Sequence, residues 1–117
     1  LPKTKETVNL IGEEALRKVK PSVRIINAAR GGVLDETALY NAIKEGRVAG
    51  AGLDVRAQEP PQDQRFTNLS NVLLAPHVAG ITVESQAAIN RVLVSEIKAA
   101  LTGGEQKYAV GAIKRAK

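Results

Sequence analysis

The chain's 117 residues, 44% hydrophobic and 25% charged, suffice for one domain with a buried core, and no apolar run nears the roughly 20 residues of a membrane span. Without cysteine there are no disulfides or thiolate metal sites, no other metal site is expected, and the composition fits a reducing cytoplasm. The net charge of +5 is concentrated at one end: Lys107, Lys114, Arg115 and Lys117 account for four of the 17 basic residues and leave 13 against 12 acidic ones. With three aromatic residues there is also little for bases to stack on, so neither nucleic acid nor membrane is an expected partner. Residues 102–117 read as a solvated basic tail. A start at Leu1 and the absence of methionine suggest a piece of a longer polypeptide.

Leu1–Asn9 lacks periodicity and is predicted to be a loop. A short helix is expected over Gly12–Val19, with Glu13 and Glu14 in its first turn and Arg17 and Lys18 in its last, as the helix dipole favours. Pro21 stops it. The apolar run Val23–Asn27 predicts a buried strand, broken by Arg30, Gly31 and Gly32. Asp35 suits the N-cap of a helix over Glu36–Glu45, whose stripe is Ala38, Leu39, Ala42 and Ile43 and whose end is Gly46. Val48–Val55 predicts a second strand of small residues, completing a right-handed βαβ unit and a parallel sheet. Arg56–Ser70 is polar and is expected to be a surface loop. Val72–Ala75 predicts a third strand. The longest helix follows over Thr82–Leu101, with Ile89, Val92, Leu93, Ile97, Ala100 and Leu101 on a face expected to pack a core. Parallel sheets are covered on both faces, so three strands and three helices predict a partial domain that lacks the rest of its sheet.

Ligands of such sheets gather beyond the carboxyl ends of the strands. Ala28, Ala29 and Arg30 end the first strand, Asp54 ends the second and His77 follows the third, with Glu59 in the loop over the same rim. That set suits carbonyl reduction and its reverse. A planar guanidinium at Arg30 can hold a carboxylate, and His77 can pass a proton to or from the neighbouring oxygen. Glu59 can pair with the other ring nitrogen. Plainer roles exist for each: a structural histidine, a surface arginine, a turn-capping Asp54, a glutamate that merely opens a loop.

Four segments decide between these readings. Asn27–Asp35 (NAARGGVLD), Ala51–Val55 with Glu59-Pro60 (AGLDV…EP), Pro76–Thr82 (PHVAGIT) and Leu1–Thr7 (LPKTKET) resemble, in order and spacing, motifs of the D-isomer-specific 2-hydroxyacid dehydrogenases over about residues 1–101. The resemblance implies an α/β, Rossmann-like fold, present as the C-terminal half of an NAD-binding domain. It implies a catalytic set of Arg30 for substrate, Glu59 to support the histidine and His77 as acid/base. It further implies that Ala28, Ala29, Arg30, Asp54, His77, Ala79 and Gly80 meet the nicotinamide end of NAD. Within the family the pattern is most like the branch that oxidises 3-phosphoglycerate toward serine; glycerate, hydroxypyruvate and glyoxylate reductases share these motifs.

The family's G-x-G-x-x-G turn and its ribose-holding acid are absent from these 117 residues. The chain alone is therefore expected to bind NAD weakly and not to turn over, and NADP is not distinguished from NAD. A homo-oligomer completed by an N-terminal half is the expected assembly. The alternative of another class is a non-catalytic, NAD-responsive protein-binding module.

Overall fold

A computed structural model describes residues 1–110 and divides into two compact units, Leu1–Ala79 and a second that begins at Gly80. In the first unit, β1 (Arg24–Asn27), β2 (Gly50–Leu53) and β3 (Val72–Leu74) form a parallel sheet in the order β1-β2-β3. Ala51 of the central strand pairs with Ile25 on one side and Val72 on the other, and Gly52 with Ile26 and Leu73. The strands fall where the apolar runs predict them, each a residue or more shorter. Helix α1 (Glu13–Arg17) is likewise shorter than expected, and its C-cap is Lys18.

Helix α2 (Glu36–Lys44) starts as its cap dictates: one Asp35 oxygen accepts from the amides of Thr37 at 2.9 Å and Ala38 at 3.0 Å. Its stripe of Ala38, Leu39, Ala42 and Ile43 is buried and clusters with Leu16 of α1, with Val48, and with Ala51 and Leu53 of β2. Gly46, at φ +71°, ends the helix in the left-handed conformation that glycine adopts freely.

The sheet is therefore packed on one face. On the other, Ile26 is 80% and Leu73 70% exposed.

The segment after β2 departs from expectation. Arg56–Ser70 is not wholly a surface loop: Phe66 is among the most deeply buried side chains, edge-on to Tyr40 at 5.9 Å, and Arg56 is buried with its guanidinium 5.0 Å from the Phe66 ring. A polar stretch is pinned to the core by one aromatic anchor.

The second unit holds α3 (Val83–Leu101). Thr82 and Ser85 cap it reciprocally, each side chain bonding the other's amide. The face expected to pack a core does not: α3 buries none of its residues, and Ile89, Val92, Leu93 and Ile97 stay open. Tyr108 and Ala109 approach that stripe, the Tyr108 amide donating to Glu96 at 3.2 Å. Among the described residues, no helix is long and apolar enough to cross a membrane. Residues 111–117, with Lys114, Arg115 and Lys117 of the basic tail, lie outside the described residues.

Candidate active site

Asn27, the last residue of β1, shapes the first junction with its own side chain. Its Oδ1 accepts from the Ala29 amide at 3.2 Å and its Nδ2 donates to the Arg30 carbonyl at 3.3 Å. The turn so formed leaves the Arg30 guanidinium bonded only to the Ala29 carbonyl, at 2.7 Å. Gly31 then runs against the next junction so closely that a Cβ there would sit 1.7 Å from the Arg56 carbonyl oxygen. Only glycine permits that approach.

Asp54 follows β2 and governs the third junction. Its carbonyl accepts the His77 amide at 2.8 Å, and its two carboxylate oxygens accept from the amides of Val78 at 2.8 Å and Ala79 at 2.9 Å. The capping role weighed for Asp54 in the sequence is thus its visible one, and it holds His77 in the left-handed region at φ +57°. Histidine visits that region more readily than most residues, yet it needs such support. The Ala79 and Val78 amides hold the Asp54 carboxyl below the usual carboxylate range.

Glu59 connects the second junction to the third. Its Oε1 accepts the Arg56 amide at 2.9 Å and its Oε2 meets His77 Nδ1 at 2.8 Å. Those two partners, the Arg56 amide first, hold its carboxyl low, so it stays an acceptor at neutral pH. A carboxylate acceptor on Nδ1 keeps a proton there and leaves Nε2 as the nitrogen without one when the ring is neutral. His77 and Glu59 are both part-exposed, with side chains 48% and 39% accessible.

Arg30, Glu59 and His77 line one hollow of about 210 Å³. The topology thus brings together the three residues proposed from sequence as the chemical set. His77 and Asp54 also line a larger hollow of about 410 Å³ with Leu74 and Pro76. Ala28, Ala29 and Arg30 border a third, of about 380 Å³, with Leu1 and Pro2. Small side chains at 28 and 29 leave open backbone beside the guanidinium, which fits the flat nicotinamide end of a dinucleotide. Ala79 is tied to Asp54, and Gly80 opens the second unit with its carbonyl bonded to Ser85 Oγ at 2.6 Å.

Two charged residues of the 210 Å³ hollow escape the sequence reasoning, Lys3 and Arg56. Backbone bonds from Asn9 and Ile11 to Gly32 and Val33 lay the N-terminal loop along the Arg30 turn. Lys3 Nζ consequently lies 3.0 Å from where a Gly32 side chain would begin. Its place in the LPKTKET segment was a signal for the loop, not for the side chain's direction.

The family model described as D-isomer specific 2-hydroxyacid dehydrogenase, NAD binding domain, matches residues 1–79. A D-3-phosphoglycerate dehydrogenase of Synechocystis is 46% identical over 110 residues, which are 94% of this chain and 20% of that protein. A glyoxylate reductase of Thermofilum pendens is 47% identical over 104 residues, 88% of this chain and 31% of its own length. The crystal structure of D-lactate dehydrogenase with NAD+ from Lactobacillus jensenii superposes with a TM-score of 0.86 at 29% identity, covering 96% of this chain and 38% of that one. The chain thus spans a fifth to a third of the curated relatives it matches. With its Rossmann-like parallel sheet and its residues gathered at one rim, the chain belongs to the D-isomer-specific 2-hydroxyacid dehydrogenase family and carries part of that family's NAD-binding domain.

Proposed function

We propose that this chain supplies the acid/base and carboxylate-holding groups of an NAD-dependent D-2-hydroxyacid dehydrogenase, with 3-phosphoglycerate as substrate. The observation that carries the reading is the 2.8 Å pairing of Glu59 with His77 Nδ1 in the hollow that Arg30 also lines. NAD, when bound, would supply a two-electron acceptor at its nicotinamide ring, which Ala28, Ala29 and Arg30 would border. Arg30 holds the substrate carboxylate through its planar fork. His77 Nε2 takes the proton of the 2-hydroxyl as C2 is oxidised and returns it in the reverse direction. Glu59 acts through His77: it fixes the ring's orientation and offsets the positive charge that the ring gains. Asp54 is a positioning residue for the same ring.

Lys3 favours a phosphorylated substrate. Among the described residues its ammonium makes no ion pair, and Arg30 makes none either, whereas Arg56 in the same hollow is bound to Glu36. A simple 2-hydroxy acid needs one cation, and a phosphorylated one uses two. The relatives named as glyoxylate reductase and glycerate dehydrogenase set the competing substrates.

The test grafts this segment into the Synechocystis relative in place of its counterpart and follows NADH with 3-phosphoglycerate, glycerate and glyoxylate. Turnover lost in His77→Gln, and a preference for 3-phosphoglycerate lost in Lys3→Gln, are expected. Turnover surviving His77→Gln would remove the imidazole from the chemistry, and NAD binding without turnover in the unmutated graft would favour a dinucleotide-responsive module.

A further inference from the structure

Arg56 is the only buried charged side chain among the described residues, and catalysis as derived above makes no use of it. It is bound twice by Glu36, at the start of α2: Nε to Oε1 at 3.2 Å and Nη2 to Oε2 at 2.9 Å. The same Glu36 carboxylate accepts the Ala57 amide at 2.6 Å. The Arg56 guanidinium rests on Phe66, and the Arg56 carbonyl is the surface against which Gly31 packs. The Arg56 amide, in turn, is the donor that fixes Glu59. Four elements meet at this residue: the first turn of α2, the Arg30 turn, the Phe66 anchor and the Glu59 carboxylate.

We infer that the Glu36–Arg56 ion pair is a clamp that positions the reacting groups, by holding the 56–59 backbone where Glu59 can pair with His77 and Gly31 can bring Arg30 alongside. A surface pair would be too weak for this, but one with side chains only 7% and 13% accessible keeps a fixed, two-point geometry. The loop has no helix or strand to rigidify it between Leu53 and Val72, so its position at residues 56 and 57 is set by these contacts. The 2.9 Å bond from the Arg56 amide to Glu59 Oε1 is the direct link from the clamp to the carboxylate. The inference rests on the acid/base reading of His77 for its purpose, but its geometry can be tested without turnover.

His77 is the chain's single histidine, so the nitrogen resonances of its ring report on this pairing alone. With the ring neutral, a carboxylate on Nδ1 selects the Nδ1–H tautomer, whereas an imidazole free in water prefers Nε2–H. The 117-residue chain is expected to show Nδ1–H, and Glu59→Ala is expected to show Nε2–H. The double variant Glu36→Leu with Arg56→Met removes the pair without leaving a buried charge alone. It is expected to move at least half of the way toward the Glu59→Ala spectrum. A double variant that folds and keeps the unmutated spectrum overturns the clamp. Should that variant fail to fold, hydrogen exchange in the unmutated chain decides: the Arg56 and Ala57 amides are expected to exchange more than about tenfold slower than in an unstructured peptide, and unprotected amides overturn it. Loss of turnover in the graft without any change in the tautomer would count against the clamp alone; an intact clamp in an inactive graft would count against the dehydrogenase reading alone.

Discussion

The two groups that face the proposed substrate are held very differently. His77 is fixed at three points: its amide on the Asp54 carbonyl, its following turn on the Asp54 carboxylate, and its ring on Glu59. Arg30 ends in a single bond to the neighbouring carbonyl. Proton transfer demands angles and distances that no ligand can be relied on to impose, so the imidazole is oriented beforehand. An anion, by contrast, draws a guanidinium to itself. On the proposed reading, this segment pre-arranges its acid/base group and leaves its anion-binding group to be ordered by what it binds.

The strongest way to break that contrast is His77→Gln in the grafted enzyme, where turnover should fall by about 10²–10⁴-fold with KM little changed, as steady-state kinetics would show. Gly31→Ala comes next, because its new methyl meets the Arg56 carbonyl; overpacking should cost about 1–3 kcal/mol, read as a lower melting temperature of the 117-residue chain. Arg30→Lys keeps the charge but loses the fork, and kcat/KM should drop about tenfold, mostly through KM, for the loss of roughly one charge-assisted hydrogen bond. Asp54→Asn retains one acceptor oxygen of two, so hydrogen exchange at either Val78 or Ala79 should quicken while the other amide stays protected. The smallest effect is in pH. Asp54 and Glu59 are both held below their unfolded values of about 3.9 and 4.3. What they contribute is complete above those values and is lost as pH falls through the lower folded ones. Protection of the Val78, Ala79 and Arg56 amides should therefore be constant from neutrality down to about pH 5 and decline only in stronger acid.

Much of this was legible in the residues because it is local. Asp35 sits immediately before a helical stripe, glycine follows it, and the strands are short apolar runs whose carboxyl ends can be counted off, so the rim and its Arg, Glu and His emerge from topology. What escaped is what depends on partners far along the chain. Glu36 and Arg56 are 20 residues apart with no periodicity linking them, so a buried ion pair looks like two ordinary surface charges. Phe66, a lone aromatic in a polar stretch, carries no pattern that reveals its burial. The apolar stripe of α3 is legible as a stripe, but an amphipathic face says only that something should cover it, not what does.

The left-handed backbone at position 77 bears on how the histidine should be replaced. Any substitute must inherit that torsion, and a branched one such as valine would rebel against it for reasons unrelated to protons. Asparagine is the neutral exchange that lives comfortably there, so His77→Asn isolates the missing imidazole, while His77→Val would confuse a lost acid with a sprung hinge.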